Sequence, residues 1–161
     1  MAGDYCEEIV VANIESEELP FKEDFFDVII ASHVLEHLVC SGAVLNKIRK
    51  NVKDGGILLA AVPNMANWRL RVRFLNGNWQ REETGPLDRT HLHFYSFKTA
   101  PELLRNTAFR LESCYPGNPA IPLWPLRRAL PKFCKAIDNL IGKQFPNFAA
   151  IQVILMARPT N

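Results

Sequence analysis

The 161-residue chain has no apolar run approaching the roughly 18 residues that a membrane-spanning helix needs. Its acidic start, Met1-Ala2-Gly3-Asp4, is not that of a secretory signal peptide. Four cysteines, at 6, 40, 114 and 134, form no Cys-x-x-Cys and no tight framework, which predicts reduced thiols in a cytoplasm rather than a disulfide scaffold. No nucleic-acid-binding motif occurs, and the basic residues are scattered rather than clustered, so nucleic acid is excluded as the expected partner. With 48% apolar and 22% charged residues, the composition excludes a disordered tail or a collagen-like repeat. What remains is one soluble domain. A chain of this size buries about 68–70% of its unfolded surface and needs no staple.

Charge is unevenly divided. Residues 1–63 carry five Lys/Arg against eleven Asp/Glu, net −6, whereas residues 64–161 carry fourteen against six, net +8. A basic half suits an anionic substrate or a membrane surface, and it equally suits a solvated face.

The apolar pattern predicts α/β architecture. Glu8-Ile9-Val10-Val11-Ala12-Asn13-Ile14 is β-branched and predicts a short strand. Phe26-Asp27-Val28-Ile29-Ile30-Ala31-Ser32 is nearly continuous in apolar character, as in a parallel strand covered on both faces. Helical spacing runs from about His33 to Val52, with Ser41-Gly42 as a point of interruption and Lys47, Arg49, Lys50 and Lys53 gathered where cations suit the helix dipole. Asp54-Gly55-Gly56 predicts a turn and residues 57–62 a second buried strand, completing a βαβ unit. Further elements are expected as a short helix near 66–75, a helix opened by Ser96 or Thr99 and ending at Arg105, and strands at 109–115 and 150–157, with an amphipathic stretch from Leu126 to Ile141.

Several motifs occur in a telling order. Asn13-Ile14-Glu15, Leu19-Pro20-Phe21, Phe26-Asp27-Val28-Ile29 and Val34-Leu35-Glu36-His37-Leu38 are followed by Lys53-Asp54-Gly55-Gly56, Val62-Pro63-Asn64 and Asp88-Arg89-Thr90-His91. This series resembles class I S-adenosylmethionine-dependent methyltransferases, and the last segment resembles the Asp-x-Thr-His of one broad branch. The resemblance implies a Rossmann-like sheet, mostly parallel with an antiparallel C-terminal strand. Residues 8–14, 26–32, 57–62, 109–115 and 150–157 match the family's third to seventh strands. It implies one domain over 1–161, with a cofactor-side core at 1–64, acceptor or lid insertions at 65–96 and 116–147, and a C-terminal helix and strands at 97–115 and 148–161. The family's first two strands and its glycine-rich turn, which lets backbone N–H groups approach the ligand, have no counterpart. The chain therefore reads as a methyltransferase domain lacking its N-terminal third. Strand 26–32 would then be an open edge, expected to be covered by residues 8–14 or by a second copy in a homodimer.

By the same resemblance the cofactor is S-adenosylmethionine. Asn13 sits where the family usually has an Asp receiving the adenine amino group, Ile14 would pack on the adenine face, and Ser32 and His33 lie at the strand end where open α/β sheets bind ligands. Asp88 could orient His91 as a general base, the bland alternative being that both pin a loop to the sheet. Trp68, Arg69, Arg71, Arg73 and Trp79 suit an anionic acceptor or, equally, a surface helix with solvated arginines. His33-Val34-Leu35-Glu36-His37 also matches the His-x-x-Glu-His of inverted zinc peptidases, but His33 is expected at a strand end, so no metal is expected. Residues 123–133 could touch a membrane interface and more naturally form a lid or dimer surface. The expected function is methyl transfer to a small or glycan-linked acceptor. The alternative is a non-catalytic remnant serving as an oligomerisation or binding module, with a zinc peptidase built on His33-x-x-Glu36-His37 a distant third.

Overall fold

A computed structural model describes residues 6–160. Four strands make one sheet: β1 (Phe26–Ser32), β2 (Val52–Pro63), β3 (Phe109–Gly117) and β4 (Gln152–Pro159), in the order β1-β2-β4-β3. β1 and β2 are parallel, and β4 runs antiparallel to both of its neighbours. This is the mixed Rossmann-like arrangement expected, with its antiparallel C-terminal strand. The long segment between β1 and β2 carries a 3-10 turn at Leu35–His37 and helix α1 (Ser41–Arg49). The remaining helices are α2 (Trp68–Leu75), α3 (Trp124–Arg127), α4 (Pro131–Gln144) and α5 (Pro146–Ala149).

The core forms between one face of the sheet and the segments packed on it. Val52, Leu58, Ala60 and Val62 of β2, with Val153, Leu155 and Ala157 of β4, meet Leu35, Val44, Leu45 and Ile48. The period-two alternation of a strand places these side chains on one face. Apolar positions of α1 three and four residues apart supply the other wall.

Two expectations are corrected. Residues 8–14 form no strand, and Ile9, Val10 and Val11 are exposed. A β-branched run needs an edge to pair with, and here polar contacts draw the neighbouring chain toward α1 instead. Glu15 Oε1 accepts the N–H groups of Val39 (2.9 Å) and Cys40 (3.1 Å), Lys47 Nζ donates to the Glu17 carbonyl at 2.7 Å, and Asn51 Nδ2 donates to the carbonyls of Phe21 and Lys22. Strand 26–32 is accordingly not covered by residues 8–14, nor buried on both faces. Val28 is 44% and Ile30 69% exposed, because β1 ends the sheet and no described element packs over them.

Other differences are local. The Asp54-Gly55-Gly56 turn is a bulge inside β2, which begins at Val52 rather than 57, and the β1–β2 register shifts across it. The helix expected from 96 to 105 is a 3-10 segment, Ala100–Leu104, preceded by a reciprocal pair in which Thr99 Oγ1 accepts from Ser96 N and Ser96 Oγ from Thr99 N. The stretch 126–141 divides into α3 and α4, with Pro131 fixing the first turn of α4.

Candidate functional site

The C-terminal ends of the parallel strands β1 and β2 face a pocket of about 340 Å³ in which His33, His37, Asp88, His91 and Gln152 stand beside apolar walls from Pro63, Pro86 and Ile151. His33 follows β1 directly with φ +54°, a left-handed turn that stops the strand and swings the ring toward β4. Its backbone N–H stays on the sheet, donating to Ala61 O at 2.9 Å. The ring bridges two elements: Nδ1 lies 3.1 Å from Glu36 Oε1 and Nε2 lies 2.8 Å from Gln152 Oε1.

Glu36 sits in the 3-10 turn with its side chain fully buried. Its backbone carbonyl accepts the N–H groups of Leu92 (2.8 Å) and His93 (3.1 Å), tying the Asp-x-Thr-His loop to the end of β1. Arg81 shapes the same loop from the other side, one guanidinium nitrogen reaching the carbonyls of Asp88, Arg89 and His91 at 2.7–3.0 Å. The Glu-His and Asp-x-Thr-His motifs, more than fifty residues apart, therefore form one cluster. Thr90 Oγ1 is 3.0 Å from His37 Nδ1, and the rings of His37 and His91 meet edge-on at 4.6 Å.

An Asp88–His91 pair does not form. Asp88 Oδ1 accepts the Thr90 hydroxyl (2.6 Å) and the Thr90 N–H (2.7 Å), donors only two residues away. Those two bonds hold its carboxyl below the usual carboxylate range. His91 instead sets Nδ1 3.1 Å from Pro86 O and Nε2 3.9 Å from Glu36 Oε1, with the side chain nearly buried. The side-chain hydrogen bonds of both residues are made within their own loop. Of the inverted-peptidase motif, His33 is engaged through both ring nitrogens and stands at a strand end, so the helical ligand geometry is absent.

The residues expected to meet the cofactor are spread along the acidic half. Ser32 is exposed at the tip of β1, beside His33. Ile14 lines an apolar cleft of about 300 Å³ with Phe21, Val28, Ile30 and Val34. Asn13 is exposed, and its Oδ1 accepts Glu15 N–H at 3.0 Å and Ser16 N–H at 3.4 Å, closing its own turn. An adenine amino group would compete with that turn. No described glycine lies at a strand-to-helix turn on this edge of the sheet, so the described residues supply an apolar wall and a strand tip but no cradle for a charged cofactor tail.

Of the expected basic patch, Arg71 donates to Ala66 O at 2.6 Å, and Arg73 reaches Glu82 and the Gln80 carbonyl. Arg73 is thereby held within the loop, whereas Arg71 is exposed and engaged through Nε alone. Two polar residues, Gln152 and Asn67, escaped the sequence reading, and Asn64 entered it only as the end of the Val62-Pro63-Asn64 motif. Gln152 anchors His33. Asn64, fully buried, donates to Ala150 O at 2.8 Å, and Asn67 donates to the same carbonyl at 2.9 Å while capping α2 through Arg69 N–H. The Pro63-Asn64-x-x-Asn67 spacing was the available signal, since a buried Asn at a strand end needs backbone partners.

The sheet places the chain among known folds. A solved S-adenosylmethionine-dependent methyltransferase from Archaeoglobus fulgidus superposes with a TM-score of 0.61 at 16% identity, over 96% of this chain and 70% of that one. A chain from a complex of the Haloferax volcanii Trm112 methyltransferase activator gives 0.59 at 13% identity, over 99% and 66%. An S-adenosylmethionine-dependent methyltransferase from Methanosarcina mazei gives 0.55 at 14%, over 94% and 66%. The chain thus spans about two thirds of the length of these relatives. No curated protein matches it. A family model described as a methyltransferase domain matches residues 5–113, more than half of the sequence, and the chain belongs to that methyltransferase-domain family.

Proposed function

We propose that this chain takes part in S-adenosylmethionine-dependent methyl transfer to a small or glycan-linked acceptor, as the part of a methyltransferase domain that carries the acceptor-side loops. The observation that carries the reading is the histidine-lined pocket at the C-terminal ends of β1 and β2, in a Rossmann-like sheet. Ser32 and His33 would stand at the cofactor's edge of that pocket, with Ile14 and Asn13 along the acidic segment. Asp88 and His91 would shape the acceptor side by fixing the loop, which matters because methyl transfer depends chiefly on alignment. The cofactor itself would supply the electrophilic methyl group.

A complete cradle requires backbone N–H groups that the described residues do not offer, so a second polypeptide segment would hold the charged tail. The Trm112 activator complex among the structural relatives supports a protein partner, and the open β1 edge supports a homodimer. That same missing cradle favours a second reading, a non-catalytic binding module.

Calorimetric titration with S-adenosylhomocysteine separates the two. Micromolar binding, about −8 kcal/mol, supports the catalytic reading. A folded protein that gives no heat at millimolar ligand supports the binding module.

A further inference from the structure

We propose that Glu36, His37 and His91 form a binding site for one divalent transition-metal ion of the zinc class. Each residue offers one donor atom, and the three lie within 4.8 Å of one another. The set is two imidazoles and a carboxylate, which suits zinc and its neighbours rather than magnesium, an ion that favours oxygen and water.

The hydrogen bonds around the cluster prepare these atoms for a cation. The Pro86 carbonyl can only accept, so His91 Nδ1 carries the proton and Nε2 keeps its lone pair, 3.9 Å from Glu36 Oε1. That separation is too long for a hydrogen bond. The Thr90 hydroxyl donates to Asp88, so it accepts from His37 Nδ1–H, and His37 Nε2 likewise keeps its lone pair. Backing a histidine's second nitrogen with a carbonyl or a carboxylate-linked group is how proteins orient metal-binding imidazoles.

Glu36 gives the independent observation. Its side chain is fully buried, and Oε2 has no hydrogen-bond partner among the described residues. Leaving a buried carboxylate oxygen bare is strongly unfavourable, and a bound cation removes the penalty. Donor atoms on a tetrahedral zinc stand about 3.4 Å apart for bonds of about 2.1 Å, so the three groups need to close by about an ångström. Three protein ligands leave a coordination position open, and His37 and His91 also wall the 340 Å³ pocket, where an oxygen of a small molecule could take it. Asp88 and Thr90 are then positioning residues, acting through His37. The His33-x-x-Glu36-His37 motif contributes only its last two members.

The proposal stands apart from cofactor binding and is tested without it. The full chain, stripped of metal, is titrated with Zn²⁺ by calorimetry and with Co²⁺ by visible absorption. One equivalent should bind, and the cobalt spectrum should lack a thiolate charge-transfer band. His37→Ala, at a half-buried position that tolerates truncation, should weaken binding at least tenfold. Thr90→Val should weaken it about tenfold through the loss of His37 orientation. His93→Ala should leave affinity unchanged. Absence of saturable binding, a thiolate band, or unchanged affinity in His37→Ala would each overturn the site.

Discussion

Asp138 shows how one carboxylate can hold a whole segment. It is nearly buried on α4, where desolvation opposes its charged form, yet Arg127 and the Ile121 N–H together outweigh that and hold the carboxyl below its usual range. Arg127 reaches both carboxylate oxygens at 2.6 and 3.0 Å and also donates to Ile121 O at 3.0 Å. The bidentate pair thereby fixes the loop between β3 and α4. A carboxyl with a depressed folded pKa contributes stability that is complete above its unfolded value of about 3.9 and is lost as pH falls through the folded value. Asp138→Asn should therefore cost about 1–3 kcal/mol at pH 7, with the deficit shrinking as pH drops below about 4. Urea denaturation of both proteins at several pH values measures this. A pH-independent gap would show that packing, not charge, ties the loop down.

At the scale of elements, the legible parts of the sequence were those whose pattern is local. Strands β1, β3 and β4 announced themselves as apolar or alternating runs, and each begins or ends within two residues of its expected bounds. The failures have a common cause, in that pairing is decided by what lies across space. Ile9-Val10-Val11 has strand propensity, but polar contacts hold the segment that follows it against the α1 region rather than along the open β1 edge. The start of β2 was hidden behind Asp54-Gly55-Gly56, whose glycines read as a turn and serve as a bulge. For the site, Glu36, His37, Asp88 and His91 were all visible as motif members, but their meeting was not, since the Thr90–His37 bond spans 53 positions and the His33–Gln152 bond 119. The bulge has its own test. A Cβ at Gly56 would lie 2.7 Å from Val52 Cγ1, 2.9 Å from Lys53 O and 3.1 Å from Asp27 O, and two of these neighbours are backbone. Gly56→Ala should destabilise by about 1–3 kcal/mol through this overpacking, read as a lowered urea midpoint. An unchanged midpoint would mean that the bulge can widen freely.

For the whole molecule, the unbalanced feature is the outer edge of β1. The sheet ends there in an apolar strand whose Val28 and Ile30 are exposed, flanked by the cleft that Ile14, Phe21 and Val34 help to line. Backbone N–H and C=O groups with no strand partner among the described residues, beside exposed β-branched side chains, make a template for another strand. The protein should therefore self-associate through β1, with the dimer fraction rising with concentration in sedimentation equilibrium. Lysine on an edge strand opposes such pairing, since association would bury its charge. Ile30→Lys should leave the fold intact, as that side chain is 69% exposed, and shift the protein to monomer. A wild-type chain that stays monomeric at high concentration would overturn self-pairing through this edge. A dimer that survives Ile30→Lys would place the interface elsewhere, with the 123–133 segment the next surface to test.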